Sequence, residues 1–530
     1  MEDRVQGKEE RRRRQENSRR PAESGKDIFA AKHRNNSSFG RTALNIARRI
    51  RQCKEIFAIS GNSGAACSGG VYFPENRLYS PLTFSVFECI LPANFRKEIE
   101  MNKLFSILAG TVLTVALAGA AEPAKPADKG VLPKMSQTKA DGLYKVGETI
   151  TFTITGLPAN AEFLVSFDGD KTANAKKKVK SDASGTITAS TKLGRPGFVR
   201  CAVSGKGIQR VVLGAGAEPE KIRGSRPMPA DFEKYWADEK AALDKVPLAP
   251  EMKPFGKSDP KARIHVFAVT VPCPGSKTPV RGYLALPANA KAKSLPALLS
   301  VHAAGVRSSG VPSGYANMGY LAFDFNAHGI EDGQPKEYYQ KMRNTVLKDY
   351  YRSGVGDRKT LYFHGMFLRL YRALQFIKSR PEWNGKVLVV TGSSQGGMQS
   401  IAAAGLDPQV TMIAAHVPAG CDHGGATVGR DPGWPRYAGV PAYKQDPQKV
   451  LKDTDYIDCV NFARLIKNAK VFVSTGFIDT TCSSASVFAA FNEMPTKDKT
   501  MFTLPDTAHG TTVRPAAKVS QPMLKAEAQR

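Results

Sequence analysis

Hydrophobic positions follow two regimes along this chain. In Glu148–Thr155, Glu162–Phe167, Gly185–Ser190, Gly197–Val203 and Gln209–Leu213 they recur in short runs, with strict alternation in the first, separated by glycine and by the Asp168-Gly169 turn signal. That punctuation predicts short antiparallel strands, and several in succession predict a small all-β sandwich of immunoglobulin-like size. From residue 281 the regime changes. Arg281–Pro287, Pro296–Val301, Asn317–Asp324, Val387–Thr391, Val410–Val417, Lys470–Thr475 and Thr500–Leu504 are apolar runs, with helical patterns such as Gly365–Ile377 and Met398–Ala404 among them. Strands that bury both faces belong to parallel sheets, because crossover helices cover each side. The pattern predicts an α/β fold with a doubly wound, mostly parallel sheet over residues 230–521. A β module over 121–217 and a linker over 218–229 precede it, and a tail over 522–530 follows.

A third pattern lies upstream. Met101–Glu122 carries Lys103, then an apolar core, then an Ala118-Gly-Ala120 ending. This is the layout of a secretory signal peptide cleaved after Ala120. As a membrane span it is short, rich in Ala, Gly and Thr, and lacks a basic cluster behind it, so no stable span is expected. The chain is expected to be exported to the periplasm or beyond. Signal peptides open a chain, so Met101 reads as the initiator and residues 1–100 as a non-native or disordered extension. The Arg11–Arg14 run and the Asn/Ser/Gly-rich stretches without periodicity agree with that.

Charge modifies this picture only slightly. The net charge is +28, of which residues 1–100 hold +7, from 19 Lys and Arg against 12 Asp and Glu, leaving +21 for the rest. A basic arm for nucleic acid conflicts with an export signal behind it, so no nucleic-acid partner is expected. Runs such as Lys176–Lys178 read as solvated surface. The five cysteines from residue 101 onward (Cys201, Cys273, Cys421, Cys459, Cys482) are odd in number and widely spaced. Cys421–Cys459 is the one pairing considered, and no disulfide framework follows.

Chemistry enters at Val387–Met398. An apolar run meets Gly392-Ser-Ser394-Gln-Gly396-Gly397 and leaves as a helix. A strand that reverses into a helix this abruptly strains its central residue and lifts one hydroxyl, that of Ser394, to a helix N-terminus where amides stabilise negative charge. A serine nucleophile needs an acid and a histidine, which follow it in that order in this type of fold. Asp479 follows Lys470–Thr475, and His509 follows Thr500–Leu504, each beyond the end of its own strand. Asp506 is close to His509 but reads as a turn residue beside Pro505. His416 sits inside an apolar run and reads as a core histidine. Cys421-Asp-His423 lacks a second ligand pair, so neither a metal nor another cofactor is called for.

The expected mechanism assigns Ser394 as nucleophile, His509 as general base and then acid, and Asp479 as the residue that fixes the imidazole tautomer. The backbone amides of Gln395 and of Ala304, in the loop His302-Ala-Ala-Gly305, are the expected oxyanion donors.

These residues also carry a resemblance. From about Arg226 to Gln521 the chain resembles the acetyl xylan esterase and cephalosporin-C deacetylase family, carbohydrate esterase family seven. The segments are Pro229–Trp236, His364–Pro381, Gly392-Ser-Ser-Gln-Gly-Gly397, Gly476-Phe-Ile-Asp479-Thr-Thr-Cys and Phe488–Asn492. The resemblance implies an α/β-hydrolase that removes acetyl groups from acetylated sugars. It maps the family triad onto Ser394, Asp479 and His509, and the oxyanion donors onto Gln395 and Ala304. Ring-like assemblies are common in the family, so a homo-oligomer is compatible.

The chain departs from the family pattern at Asn326-Ala-His328, where Arg-Gly-Gln is usual, and at Ala304, where an aromatic is usual. Ser483-Ser484 replaces Pro-Pro, and Gly510 follows the histidine in place of Glu. The resemblance makes an acetylated carbohydrate the leading substrate class. The alternatives are a general carboxylesterase or peptidase of the same fold, or a non-catalytic carbohydrate-binding protein.

Overall fold

A computed structural model describes residues 130–530, apart from 171–174, 257–260 and 438–445. The expected signal segment and N-terminal extension lie outside the described residues. The five expected runs of the first regime become β3 (Thr149–Thr155), β4 (Glu162–Gly169), β6 (Ile187–Lys192), β7 (Gly197–Ser204) and β8 (Val211–Ala217), joined by β1 (Lys134–Gln137), β2 (Leu143–Tyr144) and β5 (Ala175–Lys180), which the pattern did not announce. They form a three-stranded sheet, β1-β3-β6, and a five-stranded sheet, β2-β8-β7-β4-β5. Ile150, Phe152 and Ile154 of β3 are fully buried and share one apolar cluster with Phe163 and Val165 of β4 and Val199, Cys201 and Val203 of β7. The alternation of β3 thus delivers every second side chain to one shared core. β5 was not expected, because its Ala-Lys-Lys-Lys-Val-Lys sequence offers no apolar face. It is an exposed edge strand, where lysines discourage further pairing.

The second regime forms a nine-stranded sheet. Its strands are β9 (Glu251–Pro254), β10 (Ile264–Val271), β11 (Val280–Pro287), β12 (Leu295–Val301), β13 (Leu321–Phe325), β14 (Trp383–Ser393), β15 (Met412–His416), β16 (Lys470–Gly476) and β17 (Lys499–Leu504). Their order is β17-β16-β15-β14-β12-β13-β11-β10-β9. Pairs from β17 through β13 are parallel, and β11, β10 and β9 add antiparallel pairs at one side. This is the expected α/β class, with a mixed sheet. Neighbouring residues face opposite ways. Leu298, Val389 and Met412 enter one apolar cluster, while Leu299, Val390 and Ile413 enter another. Both faces are therefore dry, which is why these strands read as continuous apolar runs.

The main helices are α1 (Phe232–Asp244), α2 (Tyr362–Lys378), α3 (Gln395–Leu406), α4 (Ser484–Glu493) and α5 (His509–Glu527). One strand expectation needs correction. Asn317–Asp324 is not a single strand: a short helix, Ser313–Ala316, ends through Gly319 N–H to Ala316 O (2.9 Å) and Tyr320 N–H to Tyr315 O (3.1 Å). The strand begins only at Leu321. Met318 and Tyr320 are apolar because they pack beneath α5, not because they lie in the sheet.

Residues 522–527 continue α5 instead of leaving the surface. Leu524 is buried, and its carbonyl accepts the Tyr320 hydroxyl at 2.6 Å. Glu527 is buried as well and meets Lys470 at 3.7 Å. Ending the chain after Gln521 removes these contacts from the helix that begins with His509. Burial of one Leu and loss of a buried hydroxyl's acceptor together predict about 2–4 kcal/mol of lost stability. Thermal unfolding of the truncated chain should show a clearly lower midpoint, and an unchanged one would contradict this packing.

Candidate active site

β14 hydrogen-bonds to β12 and β15 on either side, so its carboxyl end is clamped where it must turn. Ser394 makes that turn with φ +56° and ψ −117°, a conformation few non-glycine residues adopt. Backbone bonds hold it there. Its N–H donates to His416 O (2.8 Å), and its carbonyl accepts from Met398 N (2.9 Å) and Ala419 N (3.0 Å). Helix α3 then passes so close to β12 that a Cβ at Gly396 would lie 2.2 Å from Val301 O. Only glycine fits, which is the physical content of the Gly after Ser-Gln.

Asp479 follows β16 and is almost completely buried. Its Oδ1 accepts from the backbone amides of Thr481 (2.8 Å) and Cys482 (2.9 Å), and its Oδ2 meets His509 Nδ1 at 2.7 Å. His509 is the first residue of α5, not a loop residue as expected. Bonding at Nδ1 leaves Nε2 as the ring nitrogen able to exchange a proton. The structure therefore puts Asp479, and not Asp506, on the histidine; Asp506 is exposed in a turn. Cys482 links this pair to Ser394. Its amide binds the Asp479 carboxylate, and its fully buried thiol, with a pKa pushed well up by burial, faces the Ser394 side chain.

Gln395 is the first residue of α3, where backbone amides have no partner within the helix. Its side chain is buried, and its Oε1 accepts the Tyr350 hydroxyl at 2.5 Å. Ala304 is exposed in the loop after β12. Two histidines fix the residues beside it. His302 Nδ1 meets Ala303 O at 2.7 Å, while its Nε2 accepts Ala327 N–H at 3.2 Å. His328 Nε2 meets Gly305 O at 3.2 Å, and its Nδ1 accepts the Tyr362 hydroxyl. Arg369 of α2 completes the support by donating to Ala327 O through Nη2 at 2.7 Å. Burial lowers the pKa of His302 to about 4 and of His328 to about 3, so both rings stay neutral, as these bonds require.

Sequence reading singled out neither histidine for a role, although each follows a strand end. Tyr362 and Arg369 gave no local signal, because their meaning arises only when α2 packs under the loop. The other candidates fall elsewhere. His416 is buried between Ser474 Oγ (3.4 Å) and Ser520 Oγ (3.3 Å), and His423 is buried with Nδ1 at 3.2 Å from Thr454 O. Cys421 and Cys459 are free thiols that both point at Ala419 O, at 3.4 and 3.6 Å, and they form no disulfide.

A family model described as acetyl xylan esterase (AXE1) matches residues 217–521. Acetyl esterase Axe7A of Xylanibacter ruminicola is 28% identical over 429 residues, covering 79% of this chain and 95% of that protein. Among solved structures, the acetyl xylan esterase from Paenibacillus sp. R4 is 23% identical with a TM-score of 0.49, covering 58% of this chain and 98% of its own. Acetyl xylan esterase 1 from Thermoanaerobacterium sp. JW/SL YS485 is 19% identical with a TM-score of 0.46 and the same coverage.

If His328 fixes the 302–305 loop, His328→Leu should lower kcat for ester hydrolysis roughly tenfold, below the 10²–10³ typical of deleting an oxyanion donor outright. KM should change little. An unchanged kcat would remove His328 from the site. In the wild type the ring should remain unprotonated from pH 8 to pH 5 by histidine NMR.

Proposed function

This chain belongs to the acetyl xylan esterase family, and we propose that it is a serine esterase that deacetylates acetylated sugars or polysaccharides through an acyl-enzyme. The observation that carries the reading is the 2.7 Å bond between His509 Nδ1 and buried Asp479, taken with the strained turn at Ser394. In this reading Ser394 Oγ attacks the acetyl carbonyl carbon while His509 Nε2 takes its proton. The amides of Gln395 and Ala304 receive the developing oxyanion. Collapse breaks the ester bond, and His509 returns the proton to the departing sugar hydroxyl. A water molecule, deprotonated by His509, then attacks the acetyl-Ser394 carbonyl and releases acetate. Asp479 holds the tautomer and stabilises the imidazolium. Its two backbone N–H bonds leave it oriented before substrate arrives.

Several features bear on substrate class and location. Ala304 gives the loop after β12 a small exposed side chain where the family usually carries an aromatic. The fold around it is read as an α/β-hydrolase, with the β-rich segment as an appended sandwich. Export through the Met101–Ala120 signal fits a polysaccharide substrate, and amino-terminal sequencing of the native protein should find the mature chain beginning just after Ala120. A start before Met101 would contradict export by that route.

The activity itself is tested by comparing a short acetyl ester, a long-chain ester and a peptide amide with wild type and Ser394→Ala. The acetyl ester should be turned over best, and the alanine variant should lose at least about 10⁴-fold in kcat while remaining folded. Preference for the long-chain ester or the amide would move the assignment to another hydrolase class. Turnover that survives Ser394→Ala would overturn the mechanism.

A further inference from the structure

The β module does more than abut the large sheet: besides the bonds of Arg195 to the carbonyls of Val428 and Gly429 at 2.7 Å, several of its contacts meet at the two loops that carry Asp479 and His509. Phe198 lies on β7, yet its ring enters the core of the large sheet and not that of the module. It packs edge-on against Phe477 at 5.0 Å between centroids and against Phe488 of α4 at 5.5 Å. Phe477 stands between the end of β16 and Asp479. Gly214 of β8 lies directly on Phe477. A Cβ at Gly214 would sit 2.5 Å from Phe477 Cβ and 2.8 Å from its carbonyl carbon and oxygen. The same Gly214 donates its N–H to Pro505 O at 2.9 Å, the carbonyl that follows β17 on the way to His509. Its carbonyl is in turn held by Gln137 Nε2 at 3.1 Å.

A third tie runs through Asp170. This buried carboxylate accepts from Phe198 N at 2.8 Å and from Asp431 N at 2.7 Å. Asp431 O accepts the hydroxyl of Ser483, which caps α4 at the far end of the Asp479 loop, and the Asp431 carboxylate meets Arg200 of β7 at 2.7 Å. Ordinary domain packing would spread such contacts over whatever surface is apolar. Here one glycine touches both loops, one aromatic backs the acid loop, and one carboxylate ties that loop's helix cap to the module.

We propose that the β module is a positioning element for the catalytic pair, with Gly214 and Phe198 setting where the Asp479 and His509 loops stand relative to each other. The proposal rests on the reading of Asp479 and His509 as acid and base. A shift of a few tenths of an ångström at Phe477 is enough to lengthen the Asp479–His509 bond. That weakens the stabilisation of the imidazolium without unfolding either domain.

The test uses the full chain with Gly214→Val, the milder Phe198→Leu and the control Ser394→Ala. Hydrolysis of a short acetyl ester is followed from pH 5 to 9, alongside thermal unfolding. Gly214→Val should lower kcat by about 10–100-fold with KM within about twofold of wild type. The ascending limb of kcat/KM should move to lower pH, because an imidazolium that loses its carboxylate partner is a stronger acid. Phe198→Leu should fall between this variant and wild type in both measures, and it carries the test if Gly214→Val does not fold.

Fewer folded molecules would lower kcat without moving the pH limb, so a folded variant with an unmoved limb overturns the proposal, whatever its kcat. Survival of activity in Ser394→Ala would sink the acid–base reading beneath it. An inactive Ser394→Ala beside a wild-type Gly214→Val would sink only the bracing role.

Discussion

The proposed chemistry of this molecule depends on holding one serine in a backbone conformation it would not choose. At φ +56° Ser394 carries strain of about 1–3 kcal/mol, which persists only where surrounding structure over-determines it. Three backbone hydrogen bonds and the contact of Gly396 with Val301 O supply that constraint. They work only because β12, β14 and β15 are already fixed as neighbours in a sheet dry on both faces. The fold and the turn are thus one argument: without the buried parallel core, nothing opposes relaxation of the turn.

Around that turn, burial is matched by hydrogen bonding. Asp479 is buried, with its carboxylate oxygens held by two backbone amides and by His509, as a buried polar group requires. His328 is buried and His302 partly so, and desolvation lowers their pKa values, to about 3 and about 4, so they act as neutral hydrogen-bonding struts. His509 remains partly exposed and bonded to a carboxylate, the setting in which the proposed mechanism places its base. Three neighbouring histidines thus differ in burial and in partners.

Much of this was legible in the chain before any coordinates. Apolar runs at Pro296–Val301, Val387–Thr391 and Lys470–Thr475 are buried on both faces, so their pattern carried the parallel sheet directly. Ser394, Asp479 and His509 could be singled out because each follows a strand end, where chain order alone limits what can meet. Local pattern failed where meaning is non-local. Met318 and Tyr320 are apolar because α5 covers them, and sequence alone read them as strand. β5 lacks an apolar face and exists because β4 offers it an edge. Arg369, Tyr362 and Gly214 look like ordinary helix or strand residues, and each matters only through a partner far along the chain.

The central claim, that Ser394 is the nucleophile of an acyl-transfer site, is tested most directly by covalent trapping. The folded protein is treated with an alkyl fluorophosphonate, digested, and the modified residue identified by mass spectrometry. One phosphonyl group per chain on Ser394, formed more slowly while a saturating acetyl ester is present, is the predicted result. Label on another residue, or no label while ester hydrolysis continues, would contradict it.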